Sequence, residues 1–162
     1  MANPEDRALR GQLVEFLHGE NAHASLKSIV DDFPKDLRGS RPKGSPHSAW
    51  QLLEHIRIAL HDLYDFSTNS HYVALKWPDD YWPKEDAPPS PTAWDASVRA
   101  LKKDIAAFVK LIGEPESNLY AEIPWGDGQT LLREVLLAGQ HTGYHLGQLV
   151  LLRRELGAWK GD

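Results

Sequence analysis

Two histidines four residues apart, in the run His141-Thr-Gly-Tyr-His145, are the feature with the clearest chemical potential. On a helix, residues four apart project from one face with Cβ atoms about 6 Å apart. That spacing suits two ligands of one first-row metal ion, whose bonds to histidine are about 2.0–2.1 Å long. Their stripe continues through Leu137, Ala138, Gln148, Leu149 and Leu152, so both imidazoles are predicted to face a helical core. His55, in Trp50-Gln-Leu-Leu-Glu-His55-Ile, shares a stripe with Leu52, Ala59, Leu63 and Phe66 and is predicted to face inward too. One or two such residues are compatible with core histidines bonded to their neighbours. Three inward imidazoles crowd donors where acceptors are scarce, and a cation relieves that shortage. Three neutral histidines with an open fourth position also form a catalytic metal geometry.

Other histidines have to be sorted by face. His23 lies one heptad from both Phe16 and Val30 on a first helix predicted over residues 4–32, so it too is expected to face inward. Gln148 sits one turn past His145. His23 and Gln148 are therefore candidates for a fourth ligand or for a contact that supports the ligands. His18, His47, His61 and His71 fall on polar faces or near helix ends and are expected at the surface. The catalytic residues stay unassigned. The nearest acidic candidates for a base, Glu134 and Asp62, lie one heptad from His141 and His55, about 10.5 Å along the helix.

Several chemistries are excluded. The 162 residues include no cysteine, which removes disulfides, thiolate ligands and a cysteine nucleophile. A zincin motif needs Glu after the first histidine of the pair, where this chain has Thr142. A di-iron carboxylate bundle needs Glu-x-x-His motifs on two helices; Glu20-Asn-Ala-His23 is one such motif, but the residues three before His55, His141 and His145 are Leu52, Ala138 and Thr142. No Gly-x-Ser-x-Gly elbow or phosphate-binding glycine loop occurs. A net charge of −5 favours neither nucleic acid nor an anionic membrane as a partner. The charged start, Met1-Ala-Asn-Pro-Glu-Asp-Arg, does not resemble a secretory signal, and no apolar run approaches the ~20 residues of a membrane span. A cytoplasmic location is expected.

The elements that must position the histidines are predicted to be helices. Beyond the first, a second begins at Ser45-Pro46, carries Trp50, Leu53, Ile56, Leu60, Leu63 and Phe66, and fades near residues 67–70. A third starts at Ser90-Pro91, with Trp94, Val98, Leu101, Ile105, Phe108 and Ile112 at alternating steps of four and three. A fourth runs from about Gln129 to Leu156. Between the second and third lies a long loop rich in Trp and Pro, including Trp77, Tyr81 and Trp82, suited to covering an apolar substrate. Leu119–Ile123 reads as a strand fragment without an obvious partner. The fold class is thus all-α, a four-helix bundle forming one domain over residues 1–162.

These residues together resemble the DinB-like (DinB/YfiT) superfamily of four-helix-bundle metalloproteins. The likeness rests on Ser48-Ala-Trp-Gln-Leu-Leu-Glu-His55-Ile-Arg57 and on Leu131-Leu-Arg-Glu-Val-Leu-Leu137 followed by His141-Thr-Gly-Tyr-His145-Leu-Gly-Gln148-Leu149. Glu20-Asn-Ala-His23 and Tyr81-Trp82-Pro83 look like features of a subgroup. The resemblance implies an up-down-down-up bundle with one divalent metal, zinc or nickel by precedent, on His55, His141 and His145. Relatives include thiol-dependent transferases, in which the metal activates a low-molecular-weight thiol.

The leading expectation is a metal-dependent enzyme, a thiol S-transferase acting on a small-molecule substrate with such a thiol as cosubstrate. A metal-dependent hydrolase, and a non-catalytic metal-binding or stress-response module, are the alternatives. A helical interaction protein without metal would leave the three histidines a coincidence. A homodimer is also expected, with Trp94, Trp125 and Trp159 as candidate surface.

Overall fold

The computed structural model describes residues 3–19 and 23–160. Among these there are five α-helices and no strand. Helix α1 (Pro4–His18) starts where the Asn3 side chain accepts from the Glu5 N–H and Pro4 supplies a first-turn residue with no N–H to satisfy. It does not run on to Asp32. Gly19 adopts a left-handed φ of 68° and donates its N–H to the Glu15 carbonyl, which closes the helix. A short α2 (Leu26–Val30) restarts under a Ser25 cap. Hydrophobic spacing alone would have continued the helix, but a glycine enters the left-handed region at little cost.

Helix α3 (Ala49–Thr68) also begins later than Ser45-Pro46 suggests. Its cap is Ser48, whose hydroxyl accepts from the Gln51 N–H while the Gln51 side chain accepts from the Ser48 N–H, both at 3.2 Å. Helix α4 (Ala93–Gly113) follows a turn in which the Ser90 carbonyl accepts from Ala93. Helix α5 (Leu131–Glu155) is capped by Thr130. The fragment before it makes one isolated antiparallel bridge, Glu122 to Thr130, across the turn Pro124–Gly128.

Helix α3 packs against both α4 and α5, and α1 packs against the same two, giving an all-α bundle. Every member of the predicted α4 stripe, from Trp94 to Ile112, is buried, facing Leu53, Ile56 and Leu60 of α3 and Val135, Ala138 and Leu149 of α5 within one core. Trp94 is therefore not dimer surface. Its ring lies 5.1 Å from that of Phe33, and its indole N–H donates to the Val30 carbonyl. Trp125 and Trp159 lie nearer the surface, and the Trp125 N–H donates to the Phe66 carbonyl.

Two arginines tie helix ends together. Arg10 of α1 donates to the carbonyls of Ile112 and Ser117 at the end of α4. Arg153 of α5 is buried and donates to the carbonyls of Ser28, Ile29, Asp31, Asp32 and Ala158 at 2.8–3.2 Å. It thereby replaces the helical partners that the end of α2 lacks. Arg153→Met should leave these carbonyls unsatisfied and cost about 2–3 kcal/mol, because hydrogen bonds to a charged group are the stronger kind. Urea denaturation checks this. An unchanged midpoint would show that water takes over the guanidinium's role.

Candidate metal centre

Helices α3 and α5 bring His55, His141 and His145 to one place. Their ligand-capable atoms all lie within 4.8 Å of one another, and the three rings are separated by 4.5–4.8 Å between centroids. The Nε2 atoms of His55 and His141 are 3.0 Å apart. A tetrahedral ion bound at about 2.0–2.1 Å needs donors about 3.3 Å apart, close to the His55–His141 separation. Among the described residues no carboxylate belongs to the group.

The outer nitrogens decide which way each ring presents its lone pair. His55 Nδ1 lies 3.0 Å from the Tyr81 carbonyl oxygen, which can only accept, so the proton sits on Nδ1 and the Nε2 lone pair faces the cluster. His145 Nδ1 donates to Gln148 Oε1 at 2.8 Å and leaves its Nε2 free in the same way. Metal-binding histidines characteristically make such outer bonds, which fix tautomer and ring orientation. Without an ion, the His141–His55 contact is a hydrogen bond when His141 carries its proton on Nε2. The donor set fits a metal ion: neutral imidazole nitrogens suit zinc, nickel, copper and iron.

Burial keeps these rings neutral. Desolvation, with the nearby His145 and His47, lowers the His55 pKa from 6.5 to about 4, against the opposing bond to Tyr81. Desolvation, with His145 and His55, lowers His141 equally, to about 4. Desolvation also lowers His145, opposed by Gln148.

Gln148, one turn beyond His145, lies beside the cluster, where its amide oxygen accepts from the His145 ring. His23 is not brought to the cluster. The helix break at Gly19 leaves it exposed in the α1–α2 connection, with its ring over Gly143. Gly143 is two residues from both His141 and His145, so it lies on the opposite side of α5. The rest of the Glu20–His23 motif, residues 20–22, lies outside the described residues. Tyr144, between His141 and His145 in sequence, is 66% exposed. Glu134 is buried and paired with Arg133 at 2.6 Å. Asp62 accepts from the hydroxyls of Tyr72 and Tyr81.

Three contributors escape a helix-face reading. Tyr81 acts through its backbone carbonyl, which no side-chain pattern reveals. Trp82 stacks on His55 at 3.7 Å between centroids and 5° between planes. His47, expected at the surface, stacks on the other face of Trp82 at 3.8 Å and 11°. The Tyr81-Trp82-Pro83 run marks the segment, but only folding shows that its rings lie on the site.

The shifted histidines set a pH dependence. An unfolded chain takes up these protons near pH 6.5, whereas folded His55 and His141 take them up only near 4. Between those values the unfolded state binds more protons, so stability falls as pH is lowered from 6.5 toward 4 and is insensitive to these groups above that window. Denaturation of chelator-treated protein across this range should show the slope. A His55→Leu, His141→Leu double variant should flatten it, and an unflattened profile would assign the slope to other groups.

A model of the DinB superfamily matches residues 18–149, a span that contains all three histidines. No curated protein and no solved structure matches the chain. With four-fifths of its length matched by that model, and the three histidines of its resemblance gathered at one point, the chain belongs to the DinB superfamily.

Proposed function

We propose that His55, His141 and His145 hold one divalent ion, zinc or nickel, and that the protein is an enzyme transferring a low-molecular-weight thiol to a small electrophile. A bound divalent cation supplies positive charge that lowers the pKa of a thiol or water placed on it. The observation that carries the choice of thiol is the donor set: three neutral imidazoles and, among the described residues, no carboxylate in the group. Nothing in that set offsets the charge available to an incoming anion. Hydrolysis gains from a general base within hydrogen-bond reach of the attacking water. Asp62 is occupied by two tyrosines and Glu134 by Arg133, which favours thiol over water.

The chain has no cysteine, so the thiol must arrive as a cosubstrate. Its S–H proton goes to solvent, sulfur bonds to the electrophilic carbon, and the displaced group leaves as an anion. In an addition reaction the neighbouring carbon takes a proton instead. Trp77, 69% exposed and 6.3 Å from the His55 ring between centroids, offers an apolar face for the electrophile. A cavity of about 300 Å³ borders the site at His47 and Gln148 and provides room for the body of a cosubstrate. A cytoplasmic location belongs to this reading, since thiols are kept reduced there.

Protein purified without a metal-affinity tag should contain about one divalent ion per chain, and His55→Ala and His141→Ala should each lose it by elemental analysis. Metal-loaded protein should accelerate thiol transfer to a panel of electrophiles. The rate should fall with chelator and return with zinc or nickel. Ester or amide turnover without thiol, and no transfer, would make the protein a hydrolase. Bound metal with neither activity would make it a binding module.

A further inference from the structure

Asp62 is on α3 with His55, one heptad further along, so its carboxylate and that imidazole are separated by about 10.5 Å of helix axis. One residue spans them. Tyr81 donates its hydroxyl to Asp62 Oδ2 at 2.6 Å while its own backbone carbonyl accepts from His55 Nδ1 at 3.0 Å. A phenol bonded to an ionised carboxylate at that length makes a strong, charge-assisted bond. The next residue, Trp82, lies flat on the same imidazole. Consecutive loop residues therefore hold His55 by its edge and by its face.

We propose that Asp62 and Tyr81 are positioning residues for His55. The carboxylate fixes the Tyr81 ring, the fixed ring sets the Tyr81 carbonyl against Nδ1–H, and this holds the His55 Nε2 lone pair on the metal centre. The consequence for metal binding rests on the function proposed above, whereas the effect on His55 itself does not. A plain stapling role for the loop is the competing account, and the structure contains its own control. Tyr72 donates to the other oxygen of the same carboxylate at 2.9 Å, but the atom held on His55 is the Tyr81 carbonyl. Stapling predicts that losing either hydroxyl has the same effect. Positioning predicts that only Tyr81 matters to His55.

The test compares the full-length wild type with Tyr81→Phe, Tyr72→Phe and Asp62→Asn. In metal-free, ¹⁵N-histidine-labelled protein, NMR should show His55 as the single Nδ1–H tautomer in wild type and in Tyr72→Phe. Tyr81→Phe and Asp62→Asn should show a mixture of tautomers. Competition with a chromophoric chelator should give zinc binding about tenfold weaker for Tyr81→Phe, with Tyr72→Phe close to wild type. If Tyr81→Phe fails to fold, Asp62→Asn carries the same comparison. A wild-type tautomer in both Tyr81→Phe and Asp62→Asn overturns the proposal, as does an equal effect from Tyr72→Phe. A tautomer change confined to Tyr81→Phe and Asp62→Asn, in a protein that takes up no zinc, upholds the positioning and removes the metal reading instead.

Discussion

Three imidazoles packed side by side inside an apolar bundle are the constraint to which the surrounding structure answers. A buried imidazole is costly unless its polar atoms find partners, and costlier still if it becomes charged. Two of the outer nitrogens are satisfied by groups that only accept, the Tyr81 carbonyl and the Gln148 amide oxygen. That arrangement sends two lone pairs toward a shared point from opposite helices. The same burial that holds the rings neutral makes them competent ligands at neutral pH.

Holding that point requires α3 and α5 to keep their register. The core between them is apolar, and the helix ends are secured by cations rather than by more apolar surface. Arg153, deep in the bundle, gathers the open carbonyls around α2, and Arg10 does the same at the end of α4. On the other side of α3 the charges are spent locally. Glu54 is held by Arg57 in a two-bond pair, and Asp104 meets His61. Neither carboxylate belongs to the three-histidine group.

The segment between α3 and α4 links this architecture to function. Its one 3-10 turn, Asp79–Tyr81, packs on α3 and delivers a carbonyl and an indole to His55. His47, from just before α3, closes the stack on the far face of Trp82. Together they shield His55 from solvent while Trp77 stays open beside it. A buried imidazole cluster beside an open aromatic face is the arrangement on which the proposed function rests.

Much of this was legible in the sequence because helical periodicity is a local rule. The α4 stripe from Trp94 to Ile112 and the shared face of His141 and His145 follow from 3.6 residues per turn, whatever the neighbours. The absence of cysteine removed thiolate from the chemistry available to any metal site. Local rules failed where two competed, as at Gly19, where a left-handed cap overrode an apolar spacing and carried His23 away from the cluster. The expectation of Trp94 as dimer surface, which set aside its place in the α4 stripe, was denied by core packing. The loop contacts were beyond their reach. Tyr81 orients His55 from 26 positions away through a backbone atom common to every residue type. Trp82 and His47 meet by stacking that depends on how the loop lies over α3. The sequence determined which side chains share a helix face. Only the tertiary structure decided which loop atoms meet them, because those contacts depend on distances between segments that no periodicity encodes.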